Sequence, residues 1–191
     1  MTQRINLLLI IFGLILTSIS CNSTRKCLTQ EQKVENYFCG LNTGDFSMIS
    51  DCISDSIKTT EKEYILTNNR KELYQQFQWD SVFRPKYELT DLKMDSNSVK
   101  ATVSKICERI EFLQDSAMIY KVQIDFNDNQ IIKIQTTEYV FLDFAKWQPR
   151  RDTITSWIDK NYPELSGFVN DLTLKGAQKF LTAIDLYKNE K

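Results

Sequence analysis

The chain has 191 residues, 42% of them apolar and 26% charged, a balance that belongs to folded globular proteins and excludes a disordered one. Its 24 Lys and Arg stand against 25 Asp and Glu, so it lacks the basic surplus with which nucleic-acid binders displace counterions from phosphate. Histidine is absent and only five glycines occur, which excludes Ser-His and Cys-His nucleophile pairs, imidazole metal sites and glycine-rich phosphate loops.

Arg4 precedes an apolar run, Leu7 to Leu16, followed by Thr17-Ser18-Ile19-Ser20 and Cys21. A positive start, a short apolar core and small residues before a cut are the parts of a secretory leader. The run is too short to cross a hydrocarbon core of about 30 Å, which takes about 20 residues in helix. With the cysteine directly after the small residues, residues 1–20 resemble a bacterial lipoprotein signal peptide, although Ser18 stands where Leu is commonest. The resemblance implies that Cys21 is acylated, with chains of the palmitate type, and becomes the mature N-terminus. Residues 21–28 then form a lipidated tether, and about seven residues reach at most about 25 Å, so the fold would sit near the membrane.

Thr29-Gln-Glu-Gln32 reads as a capping box, and Val34, Tyr37, Phe38 and Leu41 follow at helical spacing. Asn42-Thr-Gly-Asp45 breaks that helix and caps a second, which carries Phe46, Ile49 and Ile53. Cys39 and Cys52 fall on these two helices and are the candidate disulfide. The four cysteines beyond Cys21 allow three full pairings, and burial as free thiols is the alternative. Two short strands are expected around Glu61-Lys62, then a third helix from Asn69 with Leu73, Tyr74 and Phe77 inward, stopped before Pro85.

From Tyr87 the period changes to two. Strands are expected at Tyr87–Met94, Val99–Phe112, Ala117–Phe126 and Ile131–Val140, separated by turn-forming Asp, Asn and Ser. Short turns imply an antiparallel meander. Val99, Ala101 and Val103 share one parity and Ile106, Ile110 and Phe112 the other, so a bulge at Ser104-Lys105 is expected to keep both sets on one face and curve the sheet. The last fifty residues return to helix. Pro149 suits a helix start with Ile154, Trp157 and Ile158 inward; Pro163 opens another with Leu165, Phe168, Val169 and Leu172; Ala177, Phe180, Leu181 and Ile184 line a final one. The fold class is therefore α+β: a curved antiparallel sheet packed on N-terminal helices, with a C-terminal helical extension.

The order of these elements is similar to the cone of the nuclear transport factor 2-like superfamily. Val34-Glu-Asn-Tyr-Phe and Leu-Asn-Thr-Gly-Asp45 resemble its first helix and Gly-Asp turn. Lys86-Tyr-Glu-Leu with Val99-Lys-Ala-Thr-Val103 resembles the opening of its meander, and Asn129-Gln-Ile-Ile-Lys-Ile134 its last hairpin. The resemblance covers residues 29–140; residues 141–191 are read as a helical extension packed on the same domain. It implies a pocket between sheet and helices, for which Tyr74, Phe77 and Tyr120 are the candidate lining, while Trp147, Trp157 and Phe168 are candidates to cover the mouth. Superfamily members include isomerases, dehydratases and polyketide cyclases beside non-catalytic binding modules, so fold alone leaves the activity open. An isomerase-like site would need a Tyr or protonated acid facing a carboxylate base, with Tyr120, Asp125 and Glu138 on strands able to line a cone; Tyr120 and Asp125 differ in parity and should face opposite sides.

The expectation is a membrane-anchored, non-enzymatic lipoprotein of the cell envelope that binds a small apolar ligand or a protein partner. It has no catalytic residues, no metal and no cofactor, and it does not bind nucleic acid. The alternatives are a cofactor-free isomerase or hydratase of the ketosteroid isomerase-like type, and a structural component of an envelope complex.

Overall fold

The computed structural model describes residues 28–190. The leader, acylation at Cys21 and the tether through Cys27 lie outside the described residues. Helix α1 (Gln30–Thr43) begins with the capping box: Thr29 Oγ1 accepts from Gln32 N at 3.2 Å, and Gln32 Oε1 accepts from Thr29 N at 3.0 Å. Gly44, at φ +70°, ends it in the left-handed region where a side chain is disfavoured. Asp45 caps the short α2 (Phe46–Ser50). Gly40 lets the two helices touch, because a Cβ there would meet Ile49 Cγ1 at 2.7 Å and Asp45 O at 2.8 Å.

Strands β1 (Ile53–Glu61) and β2 (Tyr64–Thr67) form a hairpin, and Asn69 caps α3 (Arg70–Ser81) by accepting from Glu72 N. Four strands follow: β3 (Lys86–Asp95), β4 (Ser98–Ile106), β5 (Met118–Asn127) and β6 (Gln130–Phe141). They form the expected antiparallel meander. The sheet is larger than the meander, however, with six strands in the order β2-β1-β6-β5-β4-β3, and β1 joins β6 in parallel.

The long second strand of the meander is corrected. Pairing of β4 with β5 is unbroken from Ser98 to Lys105, with no bulge at Ser104-Lys105. The strand then stops, and α4 (Glu108–Gln114) takes over. Ile106 and Ile110 are four apart, a spacing shared by alternate strand positions and a helix face; Cys107, Ile110, Leu113 and Gln114 are buried at helical spacing. Curvature arises elsewhere. Register between β3 and β4 shifts between Thr90 and Lys93, where Asp91 has φ +52°, and β6 shifts three times against β5. Ile132, Thr137 and Val140 of β6 have no counterpart in that register. Each bulge adds twist and bend.

The sheet's concave face packs on α1–α3 around Val34, Phe38, Ile57, Val99, Val103 and Ile124. A second core joins Phe83 and α4 to the C-terminal helices α5 (Phe144–Asn161) and α6 (Leu174–Glu190), through Ile110, Leu113, Ile154, Ile158, Phe180 and Ile184. Asp143 caps α5, so Pro149 stands inside that helix rather than at its start. Pro163 opens only a short 3₁₀ turn (Pro163–Leu165), followed by another (Phe168–Asn170), and Leu172 is 68% exposed rather than inward. Trp79 Nε1 on α3 donates to Asp171 O at 3.2 Å and ties this segment to the cone.

Cys39, Cys52 and Cys107 are free thiols. The Cys39–Cys52 bridge is not formed: Cys52 is fully buried in the first core with its Sγ donating to Met48 O at 3.2 Å, whereas Cys39 is exposed. Burial pushes the Cys52 and Cys107 thiols above their ordinary range. Among the described residues no helix is long and apolar enough to cross a membrane.

Candidate functional site

Between the concave sheet and the helices lies a cavity of about 240 Å³. Its apolar walls come from Phe38 on α1, Leu73 and Phe77 on α3, Val122 on β5 and Ile134 on β6. Its polar part is built from charged and phenolic side chains at inward positions. Leu73, Phe77 and Asp80 are spaced i, i+4, i+7, so Asp80 occupies the apolar face of α3. Lys105 continues the inward parity of Val99, Ala101 and Val103. The two meet: Lys105 Nζ lies 2.5 Å from Asp80 Oδ1, and their side chains are only 11% and 10% exposed. Tyr87 on β3 donates its hydroxyl to Asp80 Oδ2 at 2.5 Å, and Lys105 Nζ sits 4.9 Å from the centre of the Tyr87 ring. Each carboxylate oxygen therefore already accepts one hydrogen bond from the fold.

Tyr37 and Tyr120 are further phenols lining the cavity. Burial raises the pKa of Tyr37, Tyr87 and Tyr120 first, and the Asp80 charge raises it further, so all three stay protonated at neutral pH. Tyr139 on β6 is raised by burial and then by Glu61, whose carboxylate accepts its hydrogen bond. Arg109, on the first turn of α4, also lines the cavity, with its guanidinium 5.0 Å from the Trp79 ring and 5.2 Å from the Trp147 ring.

The four raised phenols of the cavity make the fold sensitive to alkali. Below about pH 10 the folded and unfolded chains both hold these protons. Above it the unfolded chain releases protons that the folded chain keeps, so stability must fall as pH rises. The melting temperature is expected to drop from about pH 10 upward, and Tyr120→Phe to show a shallower decline. Equal slopes for the variant and the parent would remove Tyr120 from the set.

Of the sequence-predicted pocket residues, Phe77 and Tyr120 line the cavity and Tyr74 does not. Tyr74 is 41% exposed, its ring edge-on to Phe46 at 4.8 Å, because it stands one residue off the Leu73-Phe77-Asp80 face. Asp125 and Glu138 lie on the other side of the sheet from Tyr120; Asp125 accepts from Gln123 Nε2, and Glu138 pairs with Lys121 at 2.7 Å. Trp157 and Phe168 belong to the second core and do not cover the cavity; Trp147 reaches its rim only through Arg109. Sequence reasoning missed Asp80, Lys105 and Arg109. The signal for the first two was a charge on an otherwise apolar face. Among the described residues no group of three or more carboxylate or thiol side chains converges to hold a metal ion.

No family model matches the sequence, and no curated protein matches it. Solved structures do. IdmH from Streptomyces antibioticus, a polyketide cyclase candidate, is 12% identical and superposes with a TM-score of 0.51 over 65% of this chain and 99% of its own. Bal32a, from a soil-derived mobile gene cassette, is 13% identical with a TM-score of 0.50 over 63% of this chain and 94% of its own. An NTF2-like protein of unknown function from Cytophaga hutchinsonii is 12% identical with a TM-score of 0.47 over 59% of this chain and 90% of its own. At such identities the likeness is one of fold: the chain is an α+β protein with a curved sheet wrapped on its helices, as in IdmH and Bal32a.

Proposed function

We propose that this is a lipid-anchored protein of the bacterial cell envelope whose cone binds a small amphipathic ligand without transforming it. The observation that carries the binding reading is the cavity itself, which combines apolar walls with charged, hydroxyl and phenolic side chains. Its volume lies just under the range of about 300 to 1,000 Å³ usual for drug-sized ligands, which suits a monocyclic or short-chain molecule. The non-catalytic part rests on Asp80. A cofactor-free isomerase or hydratase needs a carboxylate ready to take a proton, whereas Asp80 holds Lys105 on one oxygen and Tyr87 on the other. The envelope reading rests on the pattern Arg4 to Cys21. Asn129 Nδ2 donates to Leu28 O at 2.9 Å, so the chain enters the fold beside the β5–β6 turn, and an anchored Cys21 would hold that end of the cone nearest the membrane.

Two measurements test this. Labelled palmitate is expected in the wild-type protein and absent from Cys21→Ala; a wild type without label removes the anchor. Amide shifts at Val122, Ile134 and Thr136 are expected on adding phenylacetamide or indole to the mature protein. If no probe shifts these residues, the cone is a structural or partner-binding element and the ligand reading fails.

A further inference from the structure

We infer that the ligand of this cavity is a small amphipathic carboxylate, received by Arg109. The inference rests on the ligand-binding reading above and specifies its chemistry. Among the described arginines, Arg70, Arg84, Arg150 and Arg151 each lie within 4.0 Å of a carboxylate, on Asp55, Glu108, Asp115 and Asp152. Arg109 has no such partner among the described residues, and its Nε is buried with no hydrogen-bond partner.

Its surroundings position it without neutralising it. The rings of Trp79, Phe83 and Trp147 stand 5.0, 5.7 and 5.2 Å from the guanidinium carbon. Aromatic rings stabilise a cation over their faces and leave the in-plane N–H edge able to grip a carboxylate through two bonds.

The other charges along the cavity do not supply that partner. Asp80 is held by Lys105 and Tyr87, and Glu61 accepts from Tyr139. Thr60 Oγ1 is a second buried polar atom without a partner, and it lines the same cavity. An anion bearing a compact apolar body satisfies both halves of the site: its carboxylate meets Arg109, and its body meets Leu73, Phe77, Val122 and Ile134. A neutral ligand would leave the cation unpaired.

The test compares phenylacetate with phenylacetamide, which match in shape and differ in charge, by calorimetry on the unaltered mature protein. Phenylacetate is expected to bind about tenfold tighter or better, and Arg109→Gln to bring the two affinities together while phenylacetamide binding is retained. Inorganic phosphate, an anion without an apolar body, is expected not to displace phenylacetate at equal concentration. Equal affinity for the two probes in the unaltered protein overturns the carboxylate assignment and leaves the ligand-binding reading standing. Failure of both probes to bind overturns the reading beneath it. Displacement by phosphate on equal terms makes the site a plain anion site and overturns the amphipathic half. Because the first comparison needs no variant, the proposal stays testable even if Arg109→Gln does not fold.

Discussion

A fragment ending at Val140 is expected to lose cooperative folding. The cut removes α5 and α6 and uncovers Phe83, Ile110 and Leu113, each of which is fully buried in the whole chain. Burial of one such side chain contributes about 1.5–3 kcal/mol. Three of them together approach the entire stability of about 5–15 kcal/mol that a domain commonly has. The Trp79 bond to Asp171 goes too, and with it the restraint on the end of α3 that carries Asp80. Urea denaturation of residues 22–140 and 22–191, followed by circular dichroism, checks this. Matching midpoints and slopes would make the C-terminal helices an independent module and would separate the second core from the stability of the cone.

The second large effect concerns the buried ion pair. Lys105→Met leaves the Asp80 carboxylate in the cavity with only the Tyr87 hydroxyl, and breaking a buried pair from one side commonly costs about 3–5 kcal/mol. Removing both charges is different. Asp80→Leu combined with Lys105→Met replaces a desolvated pair by apolar contacts and is expected to regain most of that loss. The cycle therefore has a signature: one single variant much weaker than the double. If Lys105→Met unfolds within about 0.5 kcal/mol of the parent, water reaches Asp80 freely and the cavity is wetter than its exposures imply.

How much of this was legible depended on how local the cause was. The capping box at Thr29–Gln32, the left-handed stop at Gly44 and the Asn69 cap are decided within four residues of chain, and they stand where the sequence places them. The meander was legible because Asp-, Asn- and Ser-rich turns separate β3 from β4 and β5 from β6. The β4–α4 boundary was not, since Ile106 and Ile110 satisfy both periods and only packing of α4 against α5 and α6 decides between them. The parallel seating of β1 on β6 joins segments about eighty residues apart in the chain and leaves no local mark. The site follows the same rule. Phe77 and Tyr120 were found from the apolar face and the strand. Asp80 and Lys105 were visible as charges at inward positions, but a pair 25 residues apart declares itself only when helix and strand are docked. Arg109 was out of reach, because its direction depends on a helix that the period-two pattern concealed.

The bulges of β6 separate two properties that a regular strand would bind together. Ile131, Ile134, Thr136 and Tyr139 lie opposite Phe126, Ile124, Val122 and Tyr120, and the intervening Ile132, Thr137 and Val140 have no opposite number. Ile132 lies within the stretch that also pairs with β1, but Thr137 and Val140 lie beyond it, and deleting either would leave every remaining residue on its own face opposite β5 while removing a bend. Single-codon deletions at those two positions can thus reshape the cone while its chemistry is conserved. A lineage could fit larger or smaller ligands here by changing the strand's length, with Arg109, Asp80 and Lys105 left untouched.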